Sequence, residues 1–404
     1  MFSARWNPSD RREEKTTRTL AAGWLIDGSG RPALSNAVIE IAGADILRVH
    51  SDCGPEEVES ADIDLSSCTL VPGLCDVHVH LSLSGTEDGS VRKRQLSALF
   101  QEAEQTIESH LKDHLAHGIM AIRDGGDRQG HVLRYKRAAP LQDFPVQVFA
   151  SGRAWHAPGR YGAMIGRSPQ PEKGLTGSIQ DLEKGDLIKV IHSGPNSLKE
   201  FGKETSPQFT PEDLRGAAEY GHSTGLKLMV HANGELPVRQ ALEAGCDSIE
   251  HGYFMGRENL DLMAKTRIPW VPTVFAMESL CVLLKGTPEE EIAARNVEHQ
   301  LGQIVYARKC GVVVTLGTDS GSLGVHHGRG VVEEMRLFLS AGMSVEEAVQ
   351  CATSRAAELL GLHKLGSLKP GYRALFIAAK GGPDRLPDSL KNPEAVFVDG
   401  RRVI

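Results

Sequence analysis

Four times along this chain a helical stretch ends in glycine, a short apolar run follows, and polar residues close it. The cases are LAHG/IMAIRD, STG/LKLMVHA, LEAG/CDSIEH and RKCG/VVVTLGTD. Gly118, Gly225, Gly245 and Gly311 suit the position just past a helix end, where a left-handed backbone is needed. Adding LCDVHVH, VQVFASG, DLIKVIH and IPWVPTV brings the strands to eight. Helices fall between them, among them VRKRQLSALFQEAEQTIESHLKDHL, PEDLRGAAEY and EEEIAARNVEHQLGQIVYA, and GVVEEMRLFLSAG and SVEEAVQCATSRAAELLG follow the last strand. Eight such units over residues 71–364 predict an α/β fold, a (β/α)8 TIM barrel. A doubly wound sheet is the alternative, but no glycine-rich phosphate loop follows any strand to favour it.

The two ends of the chain read differently. NAVIEIAGADILRVH gives two short strands around a Gly-Ala-Asp turn, and SCTLVPG gives another. Near the C-terminus, ALFIAA and EAVFVDGRRVI are strands, the latter turning at Asp399-Gly400. Pairing the ends predicts a small composite β-sandwich domain from residues 18–70 and 365–404, flanking the barrel. The polar stretch 1–17 is expected to be a flexible tail.

Composition narrows the partners. At 404 residues, with 40% hydrophobic and 24% charged, the chain has material for one large core and a smaller one. The net charge of -7 and the absence of a long basic block argue against nucleic acid. No run of 18 apolar residues suggests a membrane span, and the N-terminus has no apolar signal core. The seven cysteines are scattered and never form CxxC, which fits free thiols in a reducing compartment. The cytoplasm is the expected location.

Chemistry gathers at the strand ends. In LCDVHVHL, His78 and His80 sit two apart, so both imidazoles project from one face of a strand, close enough to grip one metal ion. Strand four carries Lys189 inside an apolar run, strands five and six end at His231 and His251, and strand eight ends at Asp319 in GTDSG. Each has an ordinary role when taken singly: a structural histidine, a turn aspartate, a snorkelling lysine. Together they fall at the C-terminal ends of barrel strands, where barrel enzymes build their sites. A lysine ammonium would repel metal ions. Its neutral amine can instead react with carbon dioxide, and the resulting carbamate offers one oxygen to each of two ions. On that reading His78, His80 and Asp319 hold one ion, and His231 and His251 the other. A hydroxide between the ions is the nucleophile, and Asp319 carries its proton to the leaving amine.

With those residues in place, the chain resembles the amidohydrolase superfamily of metal-dependent hydrolases. VPGLCDVHVHL, IKV, VHA, IEHG and GTDSG occur in that family's order, and the composite β domain and the stretch AGMSVEEAVQCATSRAAELLGLHKLGSLKPG also match. GIMAIRDGG, ASGRAWHAPGRYG and DLIKVIHSG are most similar to the prolidase/imidazolonepropionase-like branch. The resemblance implies two divalent ions, zinc first among them, a carboxylated Lys189, and cleavage of dipeptides or N-acyl amino acids. Homo-oligomers are commonplace in the superfamily. Three departures stand out. Asn233 occupies the place where the branch often has a carbonyl-polarising tyrosine. Gly159-Arg160-Tyr161-Gly162 replaces GGHG, and GYRALFI lacks the acidic residue of GKxADLV. The first two keep other substrates in play.

The rim of the barrel is rich in donors for a carboxylate-bearing small molecule. The expected substrate contacts are Arg123, Tyr161, Asn233 and His327, with Arg153, His156, Arg160, His192, Tyr253, His326 and Arg329 on the same rim. Arg123 has a rival role, bracing strand two with its neighbour Asp124. Cyclic amides, lactones or other esters, and heteroaryl C–N bonds are the alternative substrates on the same centre. A mononuclear heterocycle deaminase is disfavoured, because Lys189 is present and Glu235 stands four rather than three residues after His231. A metal-free scaffold is disfavoured because every expected ligand is present.

Overall fold

The computed structural model describes residues 17–138, 144–181 and 184–404, so residues 1–16 of the expected tail lie outside the described residues. Thr17 already belongs to the first strand. The strands are β1 (Thr17–Leu25), β2 (Leu34–Ala42), β3 (Asp45–His50), β4 (Ile63–Pro72), β5 (Leu74–Val79), β6 (Ile119–Asp124), β7 (Gln147–Ala150) and β8 (Ala154–Trp155). After them come β9 (Gly166–Arg167), β10 (Leu187–Ile191), β11 (Lys227–Ala232), β12 (Ser248–His251) and β13 (Trp270–Val271). The chain finishes with β14 (Phe376–Lys380), β15 (Ala395–Val398) and β16 (Arg401–Arg402).

The barrel strands are β5, β6, β7 with its continuation β8, β10, β11, β12, β13 and the stretch 312–318. All ladders between them are parallel. The last stretch closes the ring by single contacts rather than a full ladder. Thr315 N–H donates to Trp270 O at 2.8 Å, Val77 N–H to Leu316 O at 3.1 Å, and Asp319 N–H to His78 O at 2.8 Å. The eight strands of the sequence reading are these eight. Helices cover the outside, and all four expected glycine stops, Gly118, Gly225, Gly245 and Gly311, are left-handed, with φ of 70°, 73°, 82° and 84°.

Both chain ends meet in one seven-stranded sheet of order β16-β15-β14-β4-β1-β2-β3. Strand alternation lets it serve two cores. In β14, Phe376 and Ala378 pack with Leu20, Ile39 and Phe397 inside the small domain, while Ile377 and Ala379 join the barrel core. Asp399 and Gly400, both at positive φ, make the tight turn between β15 and β16.

Two helices read as continuous are broken. The long helix after β5 splits into Gly89–Ser97 and Phe100–Ala116. Between them, Gln129 donates to Leu96 O and His131 Nε2 meets Ala98 O, so carbonyls that would continue the helix are taken by another element. Near the end, Val345–Ala352 and Ser354–Leu360 part at Thr353, beside the loop between β1 and β2. There Ser354 Oγ donates to Gly28 O and Gln350 Nε2 to Ser29 O.

Candidate metal centre

Each candidate side chain reaches one mouth of the barrel because its strand ends there. β5 carries His78, with His80 just past its end; β10 carries Lys189, β11 His231 and β12 His251. Glu250 and His251 are neighbours that alternation alone would point to opposite faces. His251 adopts φ 67°, a strained value for a residue with a Cβ, and Asp319 adopts φ 59°. Ligand atoms of His78, His80 and Asp319 lie within 4.8 Å of one another.

The hydrogen bonds fix which nitrogen each histidine offers. His78 Nδ1 meets Glu250 Oε2 at 2.8 Å, and its buried Nε2 has no hydrogen-bond partner among the described residues but lies 3.6 Å from Asp319 Oδ1. His80 Nδ1 donates to Gly126 O at 2.9 Å, leaving Nε2 3.3 Å from Asp319 Oδ1. His251 Nδ1 meets Thr273 Oγ1 at 2.7 Å; that hydroxyl donates to Pro272 O, so the imidazole is the donor. His231 Nε2 donates to Gly194 O at 3.2 Å, leaving Nδ1. Four imidazoles thus each have one nitrogen anchored to an acceptor, the pattern of metal-ligating histidines. Burial holds His78 at about 4 and His231 at about 3, and it lowers His251 as well, so these rings are neutral and can ligate. His80 goes the other way: burial opposes its charge, but the Asp319 carboxylate beside it prevails.

Lys189 is 1% exposed, and its Nζ has no hydrogen-bond partner among the described residues. An unpartnered buried ammonium is costly, and burial brings it down to about 8 despite the opposing pull of Glu250. Snorkelling is thereby excluded. The orphaned Nζ, the orphaned His78 Nε2 and the mixed His and carboxylate donor set fit divalent ions of the zinc type.

These residues line a cavity of about 420 Å³. One side is apolar, with Leu83, Met164, Ile165, Leu198, Met277 and Leu280. Tyr161 and Asn233 line it too, the Tyr161 ring 5.5 Å from that of His231. The Asn233 carboxamide is committed to backbone: Oδ1 accepts from Tyr253 N–H at 3.0 Å and Nδ2 donates to Gly194 O at 3.3 Å. Tyr253 also lines the cavity, and its buried hydroxyl has no partner among the described residues.

Two expected substrate contacts lie elsewhere. Arg123 is buried inside the barrel, where it donates to Val77 O, Ser248 Oγ and, at 2.8 Å, Glu250 Oε1. Burial opposes the Glu250 charge, but Arg123 and His78 outweigh it and hold the carboxyl at about 2. The expected Arg123–Asp124 brace does not form either; Asp124 accepts instead from Leu81 N–H and Gly126 N–H. His327 is buried against His110, with ring centroids 4.0 Å apart, and bonded to His114 and Leu83 O. Neither lines the cavity, because each is consumed by a buried partner. The guanidinium that does line it is Arg92, held by Ser84 O and Gly321 O. Nothing in VRKRQL singled it out. Glu250 was legible in principle, since a carboxylate and a guanidinium in two buried strands need each other.

Residues 69–403 match the Amidohydrolase family. A solved Xaa-Pro dipeptidase with bound methionine in its active site is similar over 96% of this chain and 99% of its own, with a TM-score of 0.81 and 26% identity. Ochratoxinase of Aspergillus niger is 26% identical over 417 residues, covering 95% of this chain and 85% of its own. Imidazolonepropionase of Geobacillus thermodenitrificans is 25% identical over 421 residues, covering 93% and 90%. No helix among the described residues is long and apolar enough to cross a membrane. With a metal-ligand triad at the mouth of a (β/α)8 barrel and the family match spanning that barrel, the chain belongs to the amidohydrolase family and is a metal-dependent hydrolase.

Proposed function

We propose that this amidohydrolase cleaves the amide bond of a dipeptide or N-acyl amino acid at a binuclear centre. The observation that carries the reading is the set of four anchored imidazoles around the unpartnered Lys189 Nζ. His78, His80 and Asp319 would hold one divalent ion, and His231 and His251 the other. Lys189 joins them as a carbamate: its neutral amine adds to carbon dioxide, forms an N–C bond and releases one proton to solvent. Zinc ions bound there supply Lewis acidity and lower the pKa of water.

The chain's own residues supply the rest. Glu250, Gly126 O and Thr273 hold the imidazoles in the ligating tautomers. Asp319 accepts a proton from water and returns it to the leaving amine nitrogen. Arg92 receives the substrate carboxylate, and the Leu83, Ile165 and Met277 side takes an apolar side chain. Tyr161 completes the lining beside His231. The similarity to a Xaa-Pro dipeptidase with methionine in its active site supports a dipeptide-type substrate.

A second reading, a cyclic amide or lactone on the same centre, is favoured by Asn233. Its carboxamide is already committed to Gly194 and Tyr253, so it is not free to polarise any substrate carbonyl, and ring-strained cyclic amides and lactones need that help least. The test incubates zinc-loaded protein and bicarbonate with dipeptides, N-acyl amino acids and their cyclic counterparts. Amine release concentrated on apolar, carboxylate-bearing substrates is the expected result. Ring opening without acyclic turnover would favour the second reading, and no turnover at full metal content would remove both.

A further inference from the structure

Outside the metal cavity, a second cavity of about 600 Å³ is lined by Gln129, Leu133, Arg134, Arg137, Arg153 and Arg167, together with small residues. It shares no lining residue with the metal cavity. Among the described residues, no carboxylate lines it. Elsewhere in the chain Arg31, Arg48, Arg239, Arg308, Arg336 and Arg373 each meet a carboxylate within 4.0 Å. Arg134, Arg153 and Arg167 make no such pair with the described residues. The guanidinium of Arg167 is disfavoured by burial and by the like charge of Arg153, and its buried Nε has no partner among the described residues.

The way these cations are held is equally informative. Arg134 lies over the Phe100 ring at 4.0 Å and Arg167 over the Trp155 ring at 4.5 Å. Stacking engages the faces of a guanidinium and leaves its in-plane N–H donors available. Arg153 is steadied by one bond, NH2 to Gln129 O at 3.3 Å. Like charges gathered as at Arg134, Arg153 and Arg167, with no carboxylate partner among the described residues, are unfavourable, and the arrangement becomes favourable when a multivalent anion completes it.

We propose that this arginine-lined cavity is a binding site for a small molecule bearing phosphate-type oxyanions. The volume suits a ligand larger than a single phosphate. The pairing is that of planar forked donors with the three-oxygen face of a phosphoryl group.

The experiment titrates the zinc-loaded protein calorimetrically at low salt with fructose 1,6-bisphosphate and, separately, with inorganic phosphate. The expected result is saturable one-to-one binding of the bisphosphate, weakened about tenfold or more in R134Q/R153Q. R153Q alone, which leaves both stacks intact, guards against misfolding of the double variant and should show a smaller loss in the same direction. Inorganic phosphate binding as tightly as the bisphosphate would assign the site to the free ion; weaker binding assigns it to a phosphate ester. Absence of saturable binding to the wild type would overturn the proposal. So would an affinity unchanged in the correctly folded variants, because the anion would then sit at the metal centre. Both variants should keep the wild-type rate of amide cleavage, which separates this site from the proposed reaction.

Discussion

At the scale of single residues, two charged side chains set the terms of the site. Arg92 lines the cavity with its guanidinium already held by two backbone carbonyls, so it is positioned before substrate arrives. Its replacement by Gln should raise KM for carboxylate-bearing substrates about 10–100-fold, the loss of one charge-assisted hydrogen bond, with a smaller change in kcat. Steady-state kinetics on a substrate and its carboxamide analogue checks this, since the two should become equal in the variant. Glu250 is the partner of both Arg123 and His78. Glu250→Gln leaves the Arg123 cation buried opposite a neutral amide, and should lower stability by about 3–5 kcal/mol in urea denaturation. It should also weaken metal retention about 10–100-fold, because the His78 ring loses its anchor. A competing chelator titration measures that second effect. The triad His78, His80 and Asp319 was legible in the sequence, as were the proposed ligands Lys189, His231 and His251, since each interrupts or ends an apolar run. The destination of Arg123 was not, because two adjacent charges, Arg123 and Asp124, look alike until the strand's faces are assigned.

At the scale of elements, the helix Val274–Leu283 begins at Thr273, which is left-handed and caps nothing with its side chain. The cap comes from another helix: Glu334 accepts from Val274 N–H at 2.9 Å and Phe275 N–H at 2.7 Å. Burial raises this carboxyl to about 8, against an ordinary 4.5. A carboxyl raised in this way binds a proton in the folded chain that the unfolded chain releases. Stability therefore falls as pH rises from about 4.5 to about 8, and the contribution is flat outside that window. Glu334→Gln should flatten this part of the stability–pH profile, as read by urea midpoints across the window. Such a cap is invisible in the local sequence, because the helix start and its acceptor are sixty residues apart. The break between Ser97 and Phe100 was missed for the same reason: the groups that take its carbonyls, Gln129 and His131, belong to a later loop and helix. Helix ends marked by a glycine were readable, because there the backbone states its own requirement.

At the scale of the whole molecule, the small sheet and the barrel are joined by strands that face both ways. Phe376 stacks on Phe397 at 4.6 Å, on the side away from the barrel, while its neighbour Ile377 enters the barrel core. Phe376→Ala should therefore cost about 3–5 kcal/mol in denaturation while leaving turnover per folded molecule unchanged. Equal losses in both would mean that the sheet also shapes the metal centre. The pairing of the two ends was legible from composition and turn signals, and the register that lets one strand serve two cores was not. Arg123 has a further effect at this scale. Its guanidinium ties β5, β6 and β12 together across the barrel interior, with Val77 O, Ser248 and Glu250 around it. Those bonds occupy the interior between the three strands, so the cavity lined by His78, His80 and Asp319 is the expected doorway for a bound ion, substrate and product alike. Whatever lingers in that doorway becomes a stopper. A slowly leaving product should shield a bound ion from a chelator in proportion to its occupancy, so the rate of metal stripping would serve as a clock for product release.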